Sequence, residues 1–552
     1  MSQSFGGAQE GRIMNFHFAT AWEVVAQRYP NRLATIADNK STTWQEFERR
    51  AASLAALMES CGVGANSKAA LYLHNSNEYQ EAQFAIFKLG ACPINVNYRY
   101  KADELVYLLD NSDSEVIFYQ ACYAMRIWEI KKRVPKIKLF VQIDDGTEML
   151  LKDSVDYEKA IRDHRPLPPL DRDISSVYML YTGGTTGMPK GVMYPACDFA
   201  QLWISNGAAA RELDPPESMS AYPDFLEKIE EPPISLPACP LMHGTGMWLG
   251  SFLPMMMGGT VVTTSKLGLD PHLLLGMVEQ HKVSTLVIVG DAFAKPILSA
   301  LDEAQSRGTP YDVSSLQGIV SSGVMWSMET KQGLLRHQDL ILSDHMGSTE
   351  GGMGSSITTR EGISQTAKFE LNEGVTVIAD DGRIVEPGSG EMGKIATSTF
   401  VPLGYYKDEE KSKATFKEIN GTRYSFPGDY ATVEKDGSIT LLGRGSVCIN
   451  TAGEKVFPEE VEEAMKRNEE VVDCLVVGIP DERFGERVIA VTSLDEGSDI
   501  DDMLLIDFCR ENLAGYKVPK QVLMVEHVRR APNGKADYKW AKSEALKAFG
   551  EK

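Results

Sequence analysis

The stretch YTGGTTGMPKGV, residues 181–192, places four glycines, three threonines and one lysine behind an apolar, strand-like run, ISSVYML. Glycines let backbone N–H groups close on a phosphate, and threonine hydroxyls add uncharged donors. A P-loop needs its lysine directly before Ser or Thr, whereas Lys190 stands between Pro189 and Gly191. The dinucleotide fingerprint GxGxxG fails as well. Taken alone, the segment reads either as a phosphate cradle or as a surface loop. A second stretch, DHMGSTEGG at 344–352, sets Glu350 beyond two hydroxyls in a glycine-rich turn. That suits a magnesium ion shared with phosphate oxygens, or equally an ordinary turn with a solvated glutamate. In YSFPGDYATVEKDGSITLLGR, Asp429 enters a hairpin, where its carboxylate can grip both hydroxyls of a ribose or cap its own turn. APNGKADYK puts Lys535 behind an Asn-Gly turn, a position that by itself also fits a solvated surface lysine.

These residues need elements to hold them. The chain has 552 residues, 43% of them apolar, enough for three or four units of ~150 residues. Its formal net charge of −21 disfavours nucleic acid and anionic membranes as general partners. The eight cysteines are scattered without a CxxC pair, so reduced thiols in a cytoplasmic protein are expected. No signal peptide is evident at the N-terminus. The apolar segment 247–262 is too short and too broken for a transmembrane span, and core burial is expected for it.

Short β-branched runs (AALYLHN, EVIFYQ, KLFVQI, STLVIVG, LQGIVSSG) alternate with helix-length segments such as EYQEAQFAIFKL, which Asn77 is expected to cap and Gly90 to end. That alternation predicts α/β architecture with mainly parallel sheets. Beyond residue 370, Asp381-Gly382 and Asp436-Gly437 signal hairpins and a small antiparallel region. After Arg444 come a helix opened by Pro458, two strands and another helix. The expected fold class is therefore α/β. A large N-terminal domain, 1–443, would combine mixed and parallel sheets with helices and a small antiparallel β region; a small α+β C-terminal domain would follow, 444–552. The proline- and acid-rich stretch 212–240 reads as a surface insertion.

In this order the four motifs resemble the adenylate-forming superfamily of acyl-CoA synthetases, adenylation domains and luciferases, over nearly the whole chain. YTGGTTGMPKGV resembles its phosphate loop, with Gly184 where serine is more usual; MGSTE resembles its adenine and magnesium motif, with Met346 in place of an aromatic. GDYATVEKDGSITLLGR resembles the ribose motif, TAGEKVFPEEVE the lining of the thiol channel, and PNGK the motif of the adenylating lysine. Ser446 departs from the usual acidic or lysine hinge residue.

The resemblance implies ATP, Mg2+ and CoA as cosubstrates and cofactor, a carboxylic acid as substrate, and a mobile C-terminal domain. Lys535, Glu350 and Thr185 would be catalytic, with Glu350 holding the metal. Thr182, Gly183, Gly184, Thr185, Thr186, Gly187 and Lys190 would cradle phosphates. Gly323, Met346, Gly347, Ser348 and Thr349 would border the adenine, Asp429 and Arg444 the ribose, and Gly453 and Glu454 the pantetheine. His243, Gly244 and Trp248 would border the acyl group, while Trp203 and the methionines of PMMMGG line an apolar tunnel or pack the core. Within the superfamily, CoA ligases for fatty or steroid side-chain acids fit best, and a homodimer is compatible. A ligase for aromatic or short polar acids, a luciferase and a non-catalytic nucleotide-binding relative are the alternatives.

Overall fold

The protein is described from a computed structural model covering residues 16–182, 188–362, 365–451, 454–481, 485–531 and 534–550. Six strands run parallel in the spatial order Leu33–Ala37, Thr260–Thr263, Ile234–Pro237, Thr285–Ile288, Gly318–Ser322 and Ile341–Ser348. Helices such as Pro271–His281 and Asp291–Ser306 supply the crossovers that parallel neighbours require. The sheet then changes character. Strand Ile341–Ser348 turns back directly into Gly351–Thr358, and from there Lys368–Leu371, Ile439–Arg444, Asp429–Val433 and Met392–Thr397 continue antiparallel. Glu350 occupies the reversal. In open α/β sheets ligands gather at the carboxyl ends of parallel strands. Gly323 directly follows one such end, and Met346–Ser348 form another.

A second, five-stranded sheet is parallel throughout: Cys92–Asn95, Lys68–Tyr72, Ser114–Gln120, Leu139–Ile143 and Val155–Asp156. A small antiparallel sheet carries the strands flanking the glycine loop, Val177–Thr182 and Lys190–Pro195, with Gly404–Tyr405 on the outer edge. Aromatic rings fill the space between these layers. Phe18, Trp22, Phe87, Tyr178 and Phe252 are all at most 1% exposed, and each buried ring gains about 2–3 kcal/mol of transfer free energy. A fourth sheet lies beyond Arg444, built on the long antiparallel pair Val471–Asp481 and Gly485–Leu494. Against it pack helices Pro458–Lys466, Asp502–Asn512 and Tyr538–Phe549, one more helix than the sequence reading expected.

Some local expectations are corrected. Ser76, not Asn77, caps helix Asn77–Lys88, because the Ser76 hydroxyl accepts the Tyr79 N–H; Asn77 instead donates to the Lys40 carbonyl. Gly90 does take the left-handed conformation after it, φ +65°. The Asp436-Gly437 hairpin forms, whereas after Asp381-Gly382 only an Ile378–Ile384 bridge follows, because Val375–Ile378 pairs with Met392–Thr397 instead. Nor is 212–240 merely a surface insertion. It contains Ile234–Pro237, an interior strand of the large sheet, and helix Tyr222–Glu227, whose Tyr222, Phe225 and Leu226 are buried. Prolines and acids hid this because the strand has only four residues.

Candidate active site

Asp429 and Arg444 face each other across the hairpin register, with Arg444 Nε donating to Asp429 Oδ1 at 3.3 Å. Asp429 is 7% exposed, and its Oδ2 has no hydrogen-bond partner among the described residues. A buried acceptor left unpaired costs about 1–3 kcal/mol, so a ligand hydroxyl here is strongly favoured. Burial pushes the Asp429 carboxyl above its ordinary range, against the opposing Arg444 charge. Arg444 is pushed up by the Asp429 charge. Nearby, Glu350 lies at the hairpin tip. Its backbone N–H donates to Ser348 Oγ at 3.0 Å and its Oε1 accepts from Tyr405 Oη at 2.8 Å. Among the described residues no group of three or more His, Cys, Asp or Glu could hold a metal. A lone carboxylate nevertheless fits Mg2+, which takes one or two carboxylates and completes its shell with phosphate oxygens and water.

Lys535 reaches this place from the far end of the chain. It interacts electrostatically with Arg444, Glu350, Asp429 and His243, and a Cβ built on Gly323 would stand 4.0 Å from its Cε. The side chain keeps exposed surface although protein walls surround it. Those walls, and then Arg444, hold its ammonium below the usual lysine range; Glu350 and Asp429 oppose this. Gly534 makes the approach possible: φ is +72°, and a Cβ there would press on Ala292 at 3.1 Å.

His243 is held down to about 3, chiefly by burial and then by the Lys535 charge, so its imidazole is neutral at physiological pH. Its Nε2 is buried without a hydrogen-bond partner among the described residues. Directly beyond it the chain winds as a π-helix, Thr245–Phe252, a form that concentrates at functional sites. Trp248 on this helix donates to Tyr178 Oη at 2.9 Å and meets the rings of Phe199 at 5.2 Å, Trp203 at 6.2 Å and Tyr194 at 6.3 Å. Gly244 leaves room for that indole, whose Cε3 would lie 3.3 Å from an added Cβ. Met255, Met256 and Met257 are fully buried and belong to the core rather than to a tunnel wall.

A cavity of about 1060 Å³ opens between the parallel half of the large sheet and the C-terminal unit. Arg99, Arg126, Lys466, Arg530 and Gly534 are among the residues that line it. Glu459 packs beside the Asp429–Arg444 pair, where a Cβ on Gly443 would collide with its carboxyl. Burial, and next the charge of Glu462, push Glu459 up to about 8; its Oε2 is unpaired among the described residues.

The structure thus gathers Lys535, Glu350, Asp429, Arg444, Gly323 and His243. Met346 is only 7% exposed, in the apolar cluster with Met353 and Phe369, while Gly347, Ser348 and Thr349 lead into the turn. Thr182 ends its strand opposite Lys190, and Lys190 forms an ion pair with Asp408. Glu454 starts the short strand Glu454–Val456. Gly183, Gly184, Thr185, Thr186, Gly187 and Gly453 lie outside the described residues. Tyr405, Asp408 and Glu459 were missed by the sequence reading. Only the acidic first turn after Pro458 hinted at Glu459, and nothing local marked the other two.

A model for AMP-binding enzymes matches residues 22–406, and one for the C-terminal domain of AMP-binding enzymes matches 460–535. The chain belongs to the AMP-binding enzyme family. Among family members, the 3-oxocholest-4-en-26-oate–CoA ligase of Rhodococcus rhodochrous is 40% identical over 96% of each chain. A medium/long-chain-fatty-acid–CoA/3-oxocholest-4-en-26-oate–CoA ligase of Mycolicibacterium smegmatis is 38% identical, again over 96% of each. The anthranilate CoA ligase AuaEII, solved with anthranoyl-AMP, superposes with a TM-score of 0.83 at 21% identity, over 98% of this chain and 99% of that one. This last likeness concerns the fold alone. No helix among the described residues is long and apolar enough to cross a membrane.

Proposed function

We propose that this AMP-binding enzyme is an ATP-dependent acyl-CoA ligase acting on medium- or long-chain fatty acids or steroid side-chain acids. It joins the acid to AMP, releasing pyrophosphate, and then transfers the acyl group to CoA, releasing AMP. The relatives named above support the class of acid. The observation that carries the reaction is the convergence of Lys535 on Glu350, Asp429, Arg444 and His243 at the carboxyl ends of the parallel strands.

A carboxylate must meet the α-phosphate of ATP, and two unit charges ~4 Å apart repel by about 4 kcal/mol at an effective dielectric of 20. Lys535 spans the two anions and offsets that repulsion. Asp429 accepts from the ribose hydroxyls through its unpaired oxygen, with Arg444 holding it in place. Glu350 is the residue that would hold Mg2+, and the ion would supply charge neutralisation for the departing pyrophosphate. His243, being neutral, orients the acid without adding a charge that would hold it back. The thiol then approaches through the cavity bordered by Arg99 and Arg126, two cations suited to CoA phosphates. For this step the unit after Arg444, the C-terminal domain in this reading, swings about Gly445–Ser446 and withdraws Lys535.

The test is incubation with ATP, Mg2+, CoA and a graded set of fatty, aromatic and sterol-derived acids, with thioesters weighed by mass spectrometry. Thioesters of long-chain or sterol-derived acids are expected. Turnover of aromatic or short polar acids alone would reject the acid class, and no thioester with any acid would reject the reaction.

A further inference from the structure

The carboxylate of Glu350 is poorly restrained by its own backbone. It stands in a two-residue turn between Ser348 and Gly351, and Gly352 follows. Its aim therefore has to come from elsewhere. We infer that two tyrosines of the small antiparallel sheet fix it: Tyr405 directly, through its hydroxyl, and Tyr194 indirectly, through the carbonyl of Thr349.

Tyr405 Oη donates to Glu350 Oε1 at 2.8 Å, and Tyr194 Oη donates to Thr349 O at 2.9 Å. The turn is thus held at two adjacent residues by one sheet. Tyr405 is itself firmly seated. It pairs with Val192 in the strand leaving the glycine loop, and its N–H donates to Ser412 Oγ at 2.8 Å. Its ring packs on Phe416, with 5.4 Å between centroids. Three residues on, Asp408 caps helix Glu409–Thr415 and forms the ion pair with Lys190, the first residue of that same strand. The strand leaving the phosphate loop and the carboxylate at the hairpin tip are therefore parts of one braced unit. The hydroxyl engages one carboxylate oxygen and fixes the direction in which the charge of Glu350 faces the phosphates. Tyr405 is a positioning residue, and the inference rests on reading Glu350 as the metal-holding carboxylate.

The test is Tyr405→Phe, which removes the hydroxyl and keeps the ring. Mn2+ binding is followed by electron paramagnetic resonance with a non-hydrolysable ATP analogue present. Mn2+ affinity should fall about tenfold, the scale of one hydrogen bond to a charged group. The KM for the acid should stay unchanged, and the double variant with Glu350→Gln should bind Mn2+ no more weakly than Glu350→Gln alone. A Tyr405→Phe protein with native Mn2+ affinity, or a double variant in which the two losses add, overturns the inference. If Glu350→Gln itself keeps native Mn2+ affinity, the reading of Glu350 falls instead. Should Tyr405→Phe not fold, Tyr194→Phe carries the same titration: a several-fold loss supports the brace, and no loss overturns it.

Discussion

The two sides of the cleft solve opposite problems. On the side proposed to take the nucleotide, polar groups are held in place with bonding capacity to spare: Asp429 is buried with one oxygen unpaired among the described residues, and Glu350 is pinned at a hairpin tip. On the side proposed to take the acid, Trp248 leans into a stack of Tyr194, Phe199 and Trp203 and uses its own N–H on Tyr178. The first region is preorganised and costs stability until its ligand arrives. The second is filled by its own rings. The difference teaches that one wall of a cleft can keep bonding capacity in reserve while the other is filled by packed aromatic rings.

The comparison breaks most visibly at Lys535. Lys535→Ala should lower acid-dependent exchange of labelled pyrophosphate into ATP by about a thousandfold, as expected for a group stabilising transition-state charge. Thiolation of a supplied acyl-adenylate should be spared; equal loss of both half-reactions would remove Lys535 from the nucleotide side's special role. Next in size, Asp429→Ala should cost about 10- to 100-fold in kcat/KM for ATP, with the KM for the acid unchanged, because one or two hydrogen bonds to a charged group vanish.

On the other side, Trp248→Ala should raise kcat/KM for sterol-sized acids about tenfold relative to short acids, while destabilising the protein by about 3 kcal/mol in urea unfolding. A uniform loss across acids would show that the indole is only packing. The smallest effect concerns pH. Glu459 is raised to about 8, chiefly by burial and then by Glu462, and Asp429, Arg444 and Tyr538 also face it. The folded state therefore holds a proton that the unfolded chain releases near pH ~4.3, and this contribution is full below that pH and fades as pH rises towards 8. Glu459→Gln should flatten the fall of the melting midpoint between about pH 5 and 8; parallel curves would exclude Glu459 as its source.

How much of this was written in local sequence depends on the range of the interaction. Strands such as Ser114–Gln120 and Leu139–Ile143, and the Asp436-Gly437 turn, are local decisions and were read directly. Lys535, Glu350, Asp429 and Arg444 could be singled out because each stands in a motif with its own chemistry, and the structure brings the four together. Tyr405 was not, because its partner lies 55 positions away and nothing in GYYKDEE distinguishes it from an ordinary strand tyrosine. The π-helix was equally hidden: its glycines and apolar residues suit a buried α-helix, and the close approach of Gly246 to the Pro240 carbonyl is a tertiary contact.

One arrangement has a mechanical outcome. Asp429 and Arg444 close the last rung of a single hairpin, and the three residues after that rung, Gly445–Val447, form a short 3₁₀ turn. On the proposed reading, a pivot starting at Gly445 would carry Lys535 away while Asp429 and Arg444, the proposed ribose ligands, stayed with the stationary part. The adenosine end of the intermediate would thus stay anchored throughout the changeover, leaving only its reactive end newly uncovered.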